Sequence, residues 1–256
     1  MRSRPVRPIL PWLMAGDPFP DVGKAWGAGS DAPGLLAAGG QLDAATLLQA
    51  YSRGIFPWFS EGQPILWWSP DPRMVLQVEQ FRLHRSMRKT LQTFRRAPVC
   101  SVRFDSAFGD VIQACADGRR KGAVGTWILP EMQNAYKVLH ARGHAHSVET
   151  WINGQLVGGL YCVAIGRAVF GESMFSRQPD ASKIALAALV AFCQIHGIPQ
   201  IDCQQNTAHL ASLGAAEMDR AQFLARSAVA QSAPAPAWRF EPLYWQSLLP
   251  DTPTSP

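Results

Sequence analysis

The stretch His146-Ser-Val-Glu-Thr-Trp151, Ile152-Asn-Gly-Gln155, Leu156-Val-Gly-Gly-Leu-Tyr-Cys-Val-Ala-Ile165, Gly166-Arg167, Ala168-Val-Phe-Gly-Glu172 sets the fold. Asn153-Gly154 is the pair that a two-residue hairpin turn demands, because both central residues need a positive φ. The run Leu156–Ile165 is almost unbroken apolar residues with β-branched members, which fits a strand covered on both faces. Gly166-Arg167 turns the chain once more, so three antiparallel strands form a meander. Asp180 or Ser182 then caps a long apolar helix, Lys183 to His196, and Gly197 ends it. Ile198 to Cys203 is the next strand, followed by helices near His209–Leu213 and Arg220–Val229.

Working toward the N-terminus, Pro130–Arg142 and Phe108–Asp117 have helical spacing, the first with Pro130 at its start and Gly143 past its end. Phe81–Phe94 interleaves basic and apolar residues at helical spacing. Residues 64 to 78 are extended. Leu42–Tyr51 is a short helix with Asp43 as its N-cap and Gly54 beyond it. Residues 1 to about 35, rich in Pro and Gly, are expected as loop, and the Pro-rich end from Ala233 as a loosely packed tail. This order of elements predicts an α/β protein (an α+β mixed sheet) whose second half has an acetyltransferase-like, or GNAT-like, layer. In such folds a splayed sheet holds an acyl donor and an amine acceptor. We expect a small N-terminal domain over residues 1–78 and the acetyltransferase-like domain over 79–256.

Of the 256 residues, 47% are hydrophobic and 17% charged, which excludes a disordered chain. No run approaches the ~18 apolar residues of a membrane span. The early arginines of Met1-Arg-Ser-Arg imitate a signal peptide, but Pro11 breaks the short apolar stretch that follows. The five cysteines lack metal-ligand spacing and sit among apolar neighbours, so reduced thiols, a cytoplasmic location and no metal are expected.

Six aromatics crowd Tyr51–Arg73, in Gly54-Ile-Phe-Pro-Trp58-Phe59 and Trp67-Trp-Ser-Pro-Asp-Pro-Arg73. Prolines hold these rings on stiff, non-helical backbone. Two uses suit the block: a stacking platform for a flat ligand, or a hydrophobic seam between domains. Directly after it come Arg82, Arg85, Arg88, Lys89, Arg95 and Arg96, a cationic stretch whose position favours a polyanionic partner. A second basic knot is Arg119-Arg-Lys121. No Walker loop occurs. The turn into the long helix, Ser176-Arg-Gln-Pro-Asp-Ala-Ser-Lys183, has no glycine for a coenzyme A pyrophosphate. Arg119-Arg-Lys-Gly-Ala123 matches the coenzyme A pattern as a string only. No cofactor is expected.

Several strings then occur together in order: Gly54–Phe59, Trp67–Arg73, Gly125-Thr-Trp-Ile128, His144-Ala-His-Ser-Val-Glu149, Gly171-Glu-Ser-Met-Phe-Ser176, Ile201-Asp-Cys-Gln204 and His209–Ala215. The set resembles the leucyl/phenylalanyl-tRNA–protein transferase family from about Phe19 to Arg226. The resemblance implies an enzyme that moves Leu or Phe from aminoacyl-tRNA to the α-amino group of proteins beginning with Arg or Lys, marking them for degradation. It implies that Trp58 and Trp127 stack on the terminal adenosine, and that Arg82, Arg85, Arg88 and Lys89 meet tRNA phosphates. Glu172 would face the acceptor's cationic residue, the alternative being an internal pair with Arg73 or Lys183. Leu160, Val169 and Leu189 are candidates for the aminoacyl pocket, and Val169 is smaller than the family's usual residue there. Asp202 and Gln204 are the catalytic pair: two apart on one strand, their side chains should share a face. Asp202 would orient Gln204, whose carbonyl would position the attacking amine, and Asp202 or the leaving ribose hydroxyl would take the proton. Cys203 should point into the core. The chain is expected to act as a monomer without a membrane. Two other classes stay open: an N-acyltransferase with another donor, and a non-catalytic RNA-binding protein.

Overall fold

The computed structural model describes residues 9–118 and 128–249. Trp127 and the Arg119–Ala123 string lie outside the described residues. The order begins β1 (Trp12–Leu13), β2 (Leu35–Gly39), α1 (Ala44–Ser52), β3 (Phe56–Pro57), β4 (Leu66–Trp68), β5 (Arg73–Gln77), α2 (Arg85–Arg96), β6 (Cys100–Phe104), α3 (Phe108–Asp117) and α4 (Pro130–Ala141). It continues β7 (Ala145–Ile152), β8 (Gln155–Ile165), β9 (Ala168–Ser176), α5 (Ala181–Ile195), β10 (Gln200–Gln204), α6 (Ala208–Ser212), β11 (Ala216–Met218) and α7 (Arg220–Ser232). Two mixed sheets result: a small one in the order β1-β2-β4-β3 and a seven-stranded one in the order β11-β5-β10-β9-β8-β7-β6.

The expected meander is β7-β8-β9, with Asn153 (φ 52°) and Gly154 (φ 72°) in its first turn. Alternation along β8 explains its apolar run. Leu160 and Cys162 enter one core with α2 and α5, while Tyr161 and Val163 enter the other with α1, α3 and α4. On α2, Met87, Leu91 and Phe94 supply the buried stripe and leave the basic residues outward. Asp43 caps α1 by accepting from the Thr46 amide at 2.8 Å.

The structure changes or adds to the expected elements at four places. Leu35–Gly39, where the loop-like N-terminal stretch is expected to end, is a fully buried strand. The extended segment 64–78 is two strands in different sheets: β4 closes the small sheet and β5 enters the large one. Cys100–Phe104 is an edge strand whose Cys100, Val102 and Phe104 pack on the second core. The C-terminal segment is not loose. Trp238 stacks on His146 with centroids 3.9 Å apart, and Trp245, Leu248 and Leu249 are buried beside α5. Aromatic burial there outweighs the prolines' resistance to regular structure. No described helix is long and apolar enough to cross a membrane.

Candidate active site

β9 and β10 are parallel neighbours for only two residue pairs, Ile201↔Val169 and Asp202↔Phe170. Just beyond, both strands break register with their other partners. The β8–β9 ladder pairs Tyr161 with Ser173 and Cys162 with Gly171, leaving Glu172 out. The β10–β5 ladder skips Cys203, and Gln204 takes a left-handed φ of 63°. Such bulges bend strands and re-aim side chains. The two strands diverge, and a cavity of about 620 Å³ opens at the split, lined by Glu172 and Gln204, the Trp58 and Phe56 rings, and Leu160 and Leu189. Met174 and Leu186 extend its apolar wall.

The Asp202 carboxylate stands behind this wall. Arg73 grips it with Nε to Oδ1 at 2.8 Å and Nη2 to Oδ2 at 2.6 Å, both side chains being 0–1% exposed. The same guanidinium lies 4.8 Å from the centroids of Phe56 and Phe223 and donates to the Gly54 carbonyl at 3.2 Å. Asp202 Oδ1 also accepts the Gln204 backbone N–H at 2.8 Å. Asp202 therefore orients Gln204 through the main chain, holding the left-handed turn, and does not itself line the cavity. Asp202 and Gln204 share a face as expected: Asp202 is held by Arg73, which packs on Phe56 and Phe223, and Gln204 reaches Glu172 beside Tyr51 and Tyr136, all on the side of the first core. Cys203, on the opposite face, packs against the second core as expected and also borders the cavity; burial pushes its thiol up to about 12.

Glu172 has three neutral hydrogen-bond partners: Tyr51 Oη at 2.7 Å, Tyr136 Oη at 3.1 Å, and Gln204 Nε2 at 2.7 Å. Tyr51 and Tyr136 are also hydrogen-bonded to each other. Burial pushes the Glu172 carboxyl up to about 8, and the negative Asp202 adds to that, against the lowering by Tyr51, Tyr136 and Gln204. The internal ion pair considered for it is absent among the described residues: Arg73 pairs with Asp202, and Lys183 with Asp180 at 2.8 Å. With Gln204 Nε2 turned to Glu172, the carbonyl is the end of the amide left for another donor.

Trp58 is 39% exposed at the cavity mouth, edge-on to Trp68 with centroids 5.5 Å apart. Trp67, in contrast, is fully buried and donates to the Gly39 carbonyl at 2.9 Å. Within the aromatic block, Trp67 is thus core, and Trp58 is left exposed beside the cavity. Leu160 and Leu189 line the cavity as expected. Val169 does not: it is buried in the second core beside Ile201, one ladder pair before the split. Arg82, Arg85, Arg88 and Lys89 are exposed. The Arg82 amide bonds to the Leu213 carbonyl, next to α6, whose His209 and Leu210 line the cavity. Arg88 donates to the Leu248 carbonyl at 3.0 Å, so part of its capacity is taken by the C-terminal strap. Sequence reasoning missed Tyr51, Tyr136 and the role of Arg73. The one available signal was that a tyrosine on a core-facing helix position needs a partner for its hydroxyl.

The profile of the leucyl/phenylalanyl-tRNA protein transferase family matches residues 75–228, and that of its N-terminal domain matches residues 40–71. A leucyl/phenylalanyl-tRNA–protein transferase of Polaromonas sp. (strain JS666 / ATCC BAA-500) is 63% identical over 251 residues, 98% of each chain. One from Albidiferax ferrireducens is 61% identical over 249 residues, 97% of each chain, and one from Burkholderia pseudomallei (strain K96243) is 54% identical over 233, 91% of each. Among solved structures, a functionally unknown conserved protein from Staphylococcus epidermidis ATCC 12228 covers 72% of this chain and 68% of its own at 10% identity, with a TM-score of 0.36.

Proposed function

The chain belongs to the leucyl/phenylalanyl-tRNA protein transferase family of tRNA-dependent aminoacyltransferases, and we propose that it moves Leu or Phe, and also Met, from aminoacyl-tRNA to proteins beginning with Arg or Lys. Product proteins would enter N-degron degradation, and the enzyme would work in the cytoplasm as a monomer. One observation carries this reading: a single cavity joins an exposed indole, an apolar wall and the Glu172–Gln204 polar pair.

In this reading the terminal adenine stacks on Trp58, and on Trp127, for ~1–3 kcal/mol per base. That contribution places one ester, while Arg82, Arg85, Arg88 and Lys89 add sequence-independent phosphate contacts. The donor's side chain enters between Leu160 and Leu189. Glu172 meets the acceptor's cation, and the Gln204 carbonyl accepts a hydrogen bond from the attacking amine. A neutral amide is too weak a base to ionise the amine, so its contribution is position: it stabilises charge as the nitrogen becomes positive. Asp202 is the positioning residue that holds Gln204, and its pairing with Arg73 disfavours it as the proton's destination. The leaving ribose oxygen takes that proton as the C–O ester bond breaks and the amide C–N bond forms. The brief β9–β10 pairing and its split support the acetyltransferase-like assignment of the large sheet. The passage from β4 to β5 supports a unit boundary near residues 69–72 rather than after 78.

The test uses labelled Phe-tRNA with two otherwise identical proteins, one beginning with Arg and one with Ala. Transfer to the first alone is expected. Transfer to both removes the role of Glu172 in acceptor choice. Transfer to neither, with intact RNA binding, would favour a non-catalytic protein.

A further inference from the structure

Glu172, Tyr51 and Tyr136 form a closed triangle. Tyr51 Oη lies 2.7 Å from Glu172 Oε1, Tyr136 Oη lies 3.1 Å from Oε2, and the two hydroxyls contact each other at hydrogen-bond range. Each contact needs one hydrogen, and two phenols supply two. With an ionised Glu172, one edge of the triangle would set lone pairs against each other. Both tyrosines are fully buried, so water cannot relieve that edge. Losing a proton from a phenol instead is disfavoured, since burial and then the neighbouring Glu172 push both hydroxyls well above their ordinary value. The third hydrogen therefore belongs to the carboxyl group: Glu172 donates to Tyr136, Tyr136 to Tyr51, and Tyr51 back to Glu172, whose Oε1 also takes the Gln204 amide.

We propose that Glu172, Tyr51 and Tyr136 share three protons in the empty site, and that the cation of an arriving acceptor expels one of them. Afterwards both phenols donate to the carboxylate and the acceptor supplies the opposite charge. Tyr51 and Tyr136 are then positioning residues, and acceptor binding is linked to proton release. The proton leaves to solvent through the open cavity, and no bond to carbon changes in this step. The inference rests on the reading of Glu172 as the acceptor's partner. It also explains how the site keeps a carboxyl with no cation bonded to it among the described residues: the group is uncharged until the cation comes.

The titratable and charged groups around Glu172 are Tyr51 on α1, Tyr136 on α4, Asp202 on β10 with its Arg73 partner on β5, and Cys162 on β8, with Cys203 of β10 and His209 of α6 on the same cavity. Among these described residues Arg73 is the permanent cation, and Asp202 holds it. Burial pushes the Cys162 thiol well up, so it stays protonated across the range where Glu172 titrates, at about 8.

Two measurements on the full chain test this. In ¹³C-Glu-labelled protein without substrate, the carboxyl resonance lost in Glu172→Gln should titrate near pH 8. Titration in the ordinary carboxylate range, near ~4, would overturn the shared-proton ring. Calorimetry with an Arg-starting peptide, in buffers of different ionisation heat, then counts protons. At pH 6–7 the wild type should release up to about one proton per peptide more than Glu172→Gln, a difference vanishing above pH 9. Subtracting the variant removes protons lost by the peptide's own amine. If Glu172→Gln weakens the peptide but the wild type releases no extra proton, the inference fails and the acceptor reading stands. If peptide affinity is unchanged in Glu172→Gln, the acceptor reading fails, and proton expulsion with it.

Discussion

Replacing Asp202 by Asn separates a residue that holds the site from one that does chemistry in it. The substitution keeps the shape of the side chain and removes its charge. Arg73, 0% exposed, would then be a buried cation facing an amide whose nitrogen opposes its own Nη2. Breaking a buried pair from one side costs about 3–5 kcal/mol, a large share of the ~5–15 kcal/mol available to a domain. Arg73→Met should cost a similar amount, by orphaning Asp202. The double variant leaves no unpaired charge, so it should lose less than the sum of the singles by at least about 2 kcal/mol. Urea unfolding of all four proteins reads this directly. The kinetic consequence follows from Gln204. A left-handed non-glycine backbone costs ~1–2 kcal/mol, and the N–H bond to the Asp202 carboxylate offsets it. Weakening that bond by ~1 kcal/mol should lower kcat about fivefold, through fewer competent turns, while the pH–rate profile keeps its acidic limb, moved to lower pH because the negative Asp202 no longer raises Glu172. An Asp202→Asn protein that unfolds at the wild-type urea midpoint, or that loses the acidic limb of its profile, would refute the reasoning and make Asp202 a base.

Two more outcomes are expected. Trp58→Ala should raise the KM for charged tRNA tenfold or more, since stacking is worth ~1–3 kcal/mol, with little change in melting temperature because the ring is 39% exposed. Equal losses in both would return Trp58 to the seam. Neutralising Arg85, Arg88 and Lys89 together should weaken charged-tRNA binding and flatten its log–log salt slope by about 2–3; Arg88, tied to Leu248, should contribute least. An unchanged slope measured by filter binding would remove α2 from the RNA path.

The meander was legible because Asn153-Gly154 and the apolar run of β8 are local signals, and α5 because Gly197 ends a long apolar stretch; the expected cap is absent, since Asp180 stands at the N-cap position with its carboxylate on Lys183 and no side-chain capping bond. Short strands were not. Leu35–Gly39 begins where the loop-like stretch ends, beside Gly34 and Gly40, and pairing with β1 and β4 makes it a strand. Cys100–Phe104 alternates as an edge strand should, but over too few residues to stand out. Of the site, the motifs located Trp58, Glu172 and Gln204. Geometry between distant residues was beyond reach: Tyr51 and Tyr136 meet across 85 residues, and Arg73 meets Asp202 across 129. The skipped pairing at Cys203 and the left-handed turn at Gln204 leave no mark that period-two reasoning can read.

The Arg73 guanidinium also limits how this chain can be recombined. It sits just past the 69–72 crossing between sheets, yet it is packed by Phe56 and bonded to the Gly54 carbonyl on the near side while gripping Asp202 on the far side. A crossover that exchanged everything before residue 72 would leave Arg73 and Asp202 together but would import whatever stood at 54 and 56. The N-terminal module is therefore not a free cassette. A chimera inherits a working Gln204 turn only if its donor brings a carbonyl and a ring to the same two places.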